Sequence, residues 1–114
     1  MLIYIIDSNV TYRGALRRQL QDVAEIAEYD HVIAAIDAAS ERRPDLVISA
    51  VNLVGPNAFA FLHEFNSYAD LIDIPIILLV DDELGDVSKY GVRAVLDRRK
   101  FTPAELRAEV QKWI

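Results

Sequence analysis

Short apolar segments alternate with segments of helical periodicity along the whole chain, and this alternation limits the fold more than any other feature. The predicted strands cover residues 2–6, 25–29, 46–50, 76–80 and 94–96. Between and after them, apolar residues recur at the three- and four-residue spacing of a helix. A strand–helix repeat of roughly 23 residues indicates a parallel sheet covered by helices on both faces and joined by right-handed crossovers. We therefore predict an α/β fold with one doubly wound, five-stranded parallel sheet.

Residues typical of helix ends support these boundaries. Ser8 or Asn9 is predicted to cap the first helix and Asp30 the second, which ends before Pro44. The segment Thr102-Pro103-Ala104-Glu105 is a capping box with proline at the first helical position, and it predicts the start of the last helix, whose apolar stripe includes Trp113. The predicted packed face of the second helix consists of Val32, Ile33, Ala35, Ile36 and Ala39.

Composition excludes several classes of function. The chain has 12 basic and 18 acidic residues, a net charge of −6, so contact with nucleic acid by this domain alone is not expected. The longest apolar run, 74–80, is interrupted by Pro75 and is too short for a membrane helix. The absence of cysteine removes disulfides and thiolate chemistry. We predict a cytoplasmic protein that neither enters a membrane nor carries a cofactor.

Four segments, taken in order, resemble the receiver domains of bacterial response regulators. They are 5–9 (Ile-Ile-Asp-Ser-Asn), 44–53, 74–77 (Ile-Pro-Ile-Ile) and 91–96 (Gly-Val-Arg-Ala-Val-Leu). The resemblance covers essentially the whole chain and implies a flavodoxin-like sheet in the order 2-1-3-4-5. It makes residues 1–114 one receiver-like domain, either complete or the front of a longer regulator. The segment between Val80 and Gly91 predicts a fourth helix that is short or irregular.

The resemblance also implies where a receiver's phosphorylation site would fall. The family's pair of acidic residues corresponds to Asp7 and Ser8, and its phosphate-accepting aspartate to Ala50. Alanine supplies neither a nucleophile nor a metal ligand. Magnesium prefers several charged oxygen ligands in an octahedral set, so Asp7 alone predicts no metal site. Asp7 is expected either to cap the first helix or to pair with Arg98.

Other receiver residues are replaced as well. The family's hydroxyl residue corresponds to Val80 and its aromatic switch residue to Val95. Its lysine corresponds to Arg98 when counted forward from Gly91, or to Arg99 when counted back from the capping box at Thr102. The proline that normally follows that lysine is missing. The resemblance therefore implies a degenerate member of the family, a pseudo-receiver.

No catalytic group emerges from the remaining polar residues. Ser8 and Ser49 lie near the predicted strand ends, but no base can be placed beside either from the sequence. His63 is expected on the polar face of the third helix and His31 in the first turn of the second, and two separate histidines do not make a metal site. An enzyme of flavodoxin-like fold is disfavoured because no glycine-rich phosphate loop follows the first strand.

These observations predict a regulatory domain that acts without phosphorylation, through contact with a protein partner, an attached output domain or a second copy in a homodimer. By analogy with the family, the contact surface is expected at the fourth helix, the fifth strand and the last helix. It would include Tyr90, Arg93, Asp97, Arg99, Lys100 and Phe101. Two alternatives stay open: a domain that senses a small ligand or an anion near Arg98, and a conventional phosphorelay receiver with a relocated acceptor.

Overall fold

A computed structural model describes residues 1–50, 62–63, 66–69, 71–81 and 92–114 of the chain. The turn expected after the third strand, most of the third helix and the segment predicted as a short fourth helix lie outside the described residues. Leu62 and His63 are helical, with Leu62 buried and His63 exposed, in agreement with the predicted orientation of the third helix.

The five predicted strands form one parallel sheet in the order β2-β1-β3-β4-β5, as expected. The strands are β1 (Leu2–Ile6), β2 (Glu25–Tyr29), β3 (Leu46–Ala50), β4 (Ile76–Val80) and β5 (Val92–Asp97). β5 is longer than the predicted 94–96, and an irregularity in its pairing with β4 lies between Ile76 and Ile77. The three central strands are almost fully buried because helices cover both faces of the sheet, which explains their continuous apolar sequences.

Three helices have both ends described: α1 (Val10–Leu20), α2 (Val32–Ala39) and α3 (Pro103–Gln111). Asn9 caps α1 and Thr102 caps α3, and the side chain of each accepts a hydrogen bond from a backbone N–H of its helix. These two predicted caps are therefore confirmed. The predicted cap Asp30 is wrong. His31 is the N-cap of α2, and its Nδ1 accepts from the backbone N–H of Ala34 at 3.3 Å.

Alternate residues of each strand face two separate apolar cores. On one side α1 and α3 pack through buried residues such as Leu16, Leu20, Leu106 and Val110. On the other side α2 packs with the segment that contains Leu62, Leu71 and Ile74. None of the described helices has the length and apolar character needed to cross a bilayer.

Two residues predicted to be packed are exposed. Ile33 is 64% exposed because the helical rotation of 100° per residue places it roughly 200° around α2 from the fully buried Ala35. Trp113 is 37% exposed and lies beyond the last turn of α3, where the guanidinium of Arg93 lies over its ring.

Candidate functional site

The carboxyl ends of four parallel strands meet at one edge of the sheet. Register pairs Ile6 with Ser49, Ala50 with Leu79, and Val80 with Asp97. The residues at or just after these strand ends therefore share one edge, where ligands bind in sheets of this type. We call this edge, with Asp7, Ala50, Asp81 and Arg98, the strand-end site.

Ala50 ends β3 and presents only a methyl group to the strand-end site. The neighbouring Ser49 is buried, and its Oγ donates a long hydrogen bond of 3.4 Å to the carbonyl oxygen of Ala50. Val80 is also buried and belongs to the core on the α2 side. Neither Ala50 nor Val80 offers a nucleophile or a hydrogen-bonding side chain at this edge.

Asp7 is the buried acid of the site, with a side chain that is 3% exposed. Its backbone N–H donates to the carbonyl of Tyr29, and its own carbonyl accepts from Nη1 of Arg13 at 2.6 Å. Its Oδ1 accepts from the backbone N–H of Asn9 at 2.8 Å. Asp7 thus orders the turn before α1, but the cap of α1 is Asn9. The other residue of the expected acidic pair, Ser8, is exposed.

Arg98 enters the strand-end site from the turn after β5, and its side chain is 16% exposed. Its Nη1 lies 3.7 Å from Oδ2 of Asp7, and its Nε lies 3.8 Å from Oδ1 of Asp81. The guanidinium carbon lies 4.6 Å from the centre of the Tyr12 ring, a distance typical of a cation–π contact. The expected contact between Asp7 and Arg98 is therefore present.

Arg99 points away from this site. Its Nη2 lies 2.9 Å from Oδ2 of Asp97, and its side chain is exposed. Hydrogen bonds from the Arg99 side chain and backbone lower the pKa of Asp97 to about 2. The two arginines that could correspond to the family's lysine therefore lie in different environments. Arg98 approaches the buried carboxylate of Asp7, and Arg99 pairs with Asp97 at the surface.

Sequence reasoning missed two members of the site, Asp81 and Tyr12. Asp81 directly follows Val80, so its position after a buried strand was a signal for a residue at the strand ends. Tyr12 lies in the first turn of α1, and burial raises the pKa of its hydroxyl. No simple sequence pattern distinguishes a tyrosine that packs beneath a guanidinium from one in an ordinary core.

The residues of the site do not fit a divalent metal ion of the kind that the resemblance implies. Among the described residues, no three histidine or carboxylate side chains are grouped closely enough to hold a metal. Within the described residues, Oδ2 of Asp7 is buried without a hydrogen-bond partner, but the guanidinium of Arg98 faces it at 3.7 Å. A fixed positive charge at this distance opposes a second cation.

The expected contact surface lies on β5 and the turn that follows. Arg93, Arg99 and Lys100 are exposed, and the guanidinium of Arg93 lies 5.6 Å from the centre of the Trp113 ring. Phe101 is half-buried and packs against the core beneath α1 and α3. Tyr90 lies outside the described residues.

Comparisons with known proteins agree on the fold. The chain resembles the chemotaxis protein CheY4 of Vibrio cholerae with a TM-score of 0.83 and 21% identity, over 99% of this chain and 98% of that one. It also resembles the receiver domain of the sensor histidine kinase PA1611 of Pseudomonas aeruginosa, which was solved with a magnesium ion in its active site cleft. That match has a TM-score of 0.82 and 20% identity, over 98% of this chain and 95% of the other. The fold is therefore that of receiver domains.

Comparison of sequences finds similarity over about two thirds of the chain. The chain is 30% identical over 78 residues to the probable transcriptional regulator ycf29 of Cyanophora paradoxa. The alignment covers 68% of this chain and 37% of that regulator, so the chain spans little more than a third of the curated relative. No protein-family model matches the chain.

Proposed function

We propose that this chain is a degenerate receiver domain that regulates by protein contact and does not accept a phosphoryl group. The observation that carries the proposal is Ala50 at the end of β3, with Arg98 beside the only buried carboxylate in the described part of the strand-end site. The receiver fold supplies the scaffold, but aspartyl phosphorylation needs an acceptor carboxylate and a metal-binding set. We assign the chain no catalytic residue, and its location in the cytoplasm stays a prediction.

Incubation with acetyl phosphate and magnesium, followed by intact-mass measurement, tests this proposal. We expect the mass to stay unchanged, while a conventional receiver treated in parallel gains roughly 80 Da, the mass of one phosphoryl group. The same gain in this chain would contradict the proposal and would favour a relocated acceptor.

The distribution of charge supports β5, the turn after it and α3 as the contact surface. Residues 92–114 contain six basic and three acidic residues, one of the basic ones being Arg98 of the strand-end site, whereas residues 1–91 contain six basic and fifteen acidic residues. On this surface the exposed Arg93 and the partly exposed Trp113 are of the residue types that dominate binding energy at interfaces. We propose that the partner, or an attached output domain, presents an acidic surface to it.

The same charge distribution argues against a homodimer through this surface. A two-fold axis would bring the like charges of two copies together, and like charges across an interface are unfavourable. Light scattering over a wide range of concentrations checks this point. We expect a monomer, and a dimer that dissociates in the variant Arg93→Glu/Lys100→Glu but not in Arg18→Glu would instead assign the surface to a second copy.

Sensing of an anion is the weaker candidate. Arg98 lies between the carboxylates of Asp7 and Asp81, so the local charge is negative and unfavourable for an anion. Melting curves in sulfate and in chloride at equal ionic strength separate the two functions. We expect equal melting temperatures, since only a bound ligand would raise the value in sulfate by mass action.

A further inference from the structure

We infer that the guanidinium of Arg98 is a tethered cation that takes the place of a divalent metal ion at the strand-end site. It makes this site independent of metal and holds the strand ends in one arrangement. The inference concerns the internal electrostatics of the fold, and it does not depend on the identity of any partner.

The first argument is the charge balance of the strand-end site. Asp7 is 3% exposed, and a buried carboxylate is costly unless a positive charge lies nearby. Arg98 is the only cationic side chain that approaches its carboxylate among the ion pairs of the described residues. Arg13 contacts the backbone carbonyl of Asp7 and directs its Nε to Glu28.

The second argument is that Arg98 links four separate elements, as a bound ion would. Its backbone N–H donates to the carbonyl of Val80 at the end of β4, which fixes the turn after β5. Its side chain then reaches Asp7 after β1, Asp81 after β4 and the ring of Tyr12 in α1. One planar cation thereby connects β1, β4, β5 and α1.

The third argument is the length of the contacts. The distances of 3.7 and 3.8 Å from the guanidinium to the two carboxylates exceed those of hydrogen bonds. Within the described part of the chain, Oδ2 of Asp7 and Nε of Arg98 are buried without hydrogen-bond partners. The attraction is therefore Coulombic, like that of an ion beside its ligands, and it does not require one fixed donor–acceptor geometry.

Melting temperatures of charge-removed variants, with and without magnesium or manganese at equal ionic strength, test the inference. Arg98→Met keeps an apolar stem above Tyr12 and removes the charge. We expect it to melt on the order of 10–20 °C below the wild type, since it leaves Asp7 without a counter-charge. Magnesium or manganese should restore part of this loss, because a hydrated divalent ion can bind one or two carboxylates. Neither ion should change the melting temperature of the wild type.

Two controls separate this effect from ordinary ion pairing. Arg99→Met removes the exposed pair with Asp97 and should show a small change and no response to metal. Asp7→Asn/Arg98→Met removes the buried carboxylate as well, so the response to metal should disappear. If Arg98→Met fails to fold, Arg98→Lys keeps a cation at the site and should fold without a response to metal.

Three results would overturn the inference. The first is a melting temperature of the wild type that rises with magnesium or manganese. The second is an Arg98→Met variant that behaves like Arg99→Met. The third is an Arg98→Met variant that is destabilised but indifferent to metal, which would reduce Arg98 to a common ion-pair partner. None of these results involves a phosphoryl group. Failure of this inference is therefore distinguishable from failure of the proposed function, which the mass measurement after incubation with acetyl phosphate tests.

Discussion

Ala50 and Arg98 act on the chemistry of the strand ends in different ways. Ala50 offers no nucleophile at the end of β3, while Arg98 supplies a positive charge beside Asp7. Under the proposed function these are separate obstacles, so we expect that replacing one residue does not allow phosphoryl transfer. The polar contacts of Asp7 order the turn between β1 and α1.

Restoring the acceptor alone should therefore fail. We expect Ala50→Asp to show no mass gain with acetyl phosphate and magnesium, since the charge of Arg98 still opposes the metal. The matched variant Ser8→Asp/Ala50→Asp/Arg98→Met supplies the acidic pair and the acceptor and removes the positive charge that opposes the metal. It should gain roughly 80 Da under the same conditions. Phosphorylation of Ala50→Asp by itself would contradict the role given to Arg98.

Tyr4 provides a pH dependence at the residue scale. Burial is the main cause that raises the pKa of Tyr4 to about 12, and its hydroxyl donates to the carbonyl of Arg42. A raised pKa means that the folded chain favours the neutral phenol. Its contribution to stability is complete below pH 10, the ordinary value for tyrosine, and is lost as the pH rises from about 10 to about 12.

Urea unfolding between pH 8 and 12 measures this contribution. We expect the free energy of unfolding of the wild type to fall more steeply above roughly pH 10 than that of Tyr4→Phe, which has no hydroxyl to titrate. Lysine titrates in the same range, but it does so equally in both proteins. Parallel curves for the two would show that ionisation of Tyr4 does not couple to folding.

At the scale of elements, the helix caps show how local chemistry fixes boundaries. Thr102 Oγ1 accepts from the backbone N–H of Glu105 at 3.2 Å, which is the N-cap half of the predicted capping box, and the Thr102 hydroxyl donates to the Glu105 carboxylate at 3.1 Å. The cap of α2 differs, because an imidazole nitrogen of His31 accepts the equivalent bond. Histidine is not among the usual caps, and propensity therefore favoured Asp30.

Loss of the α3 cap has a measurable cost. Thr102→Ala should lower the free energy of unfolding by about 1 kcal/mol in urea titrations, since the N–H of Glu105 loses its acceptor. The control is Thr11→Ala, an exposed position inside α1 where alanine is the better helix former. It should be neutral or slightly stabilising. Equal losses in the two variants would show that the capping box contributes nothing specific.

At the scale of the whole molecule, burial on both faces of the central strands concentrates stability in the sheet. Ile48 in β3 is fully buried in the core beneath α1 and α3, while Ile33 on α2 is 64% exposed. Charge is distributed unevenly over this scaffold, since the strongly acidic part of the sequence precedes β5 and the basic part begins there.

The same substitution at these two isoleucines should give very different results. Ile48→Ala should cost about 3 to 4 kcal/mol of unfolding free energy, because it leaves a cavity among packed side chains. Ile33→Ala should change it by less than about 0.5 kcal/mol. Chemical denaturation of both variants measures the difference. A large loss at Ile33 would mean that another part of the chain covers this face of α2.

Much of the fold was determined by the sequence itself. The alternating periods of apolar residues predicted five strands and the edge position of β2, because burial on one or two faces leaves different patterns. Proline and capping residues fixed the start of α3, and the position of Ala50 after an apolar strand already placed a methyl group at the strand ends.

The tertiary structure alone decided which charges meet. A shift of one residue in the turn after β5 separates Arg98, which reaches Asp7, from Arg99, which pairs with Asp97 at the surface. Asp81 lies in the same site because parallel strands bring the residues that follow them, distant in sequence, to one edge of the sheet. Side-chain direction in a turn depends on packing around it, and sequence spacing does not specify it.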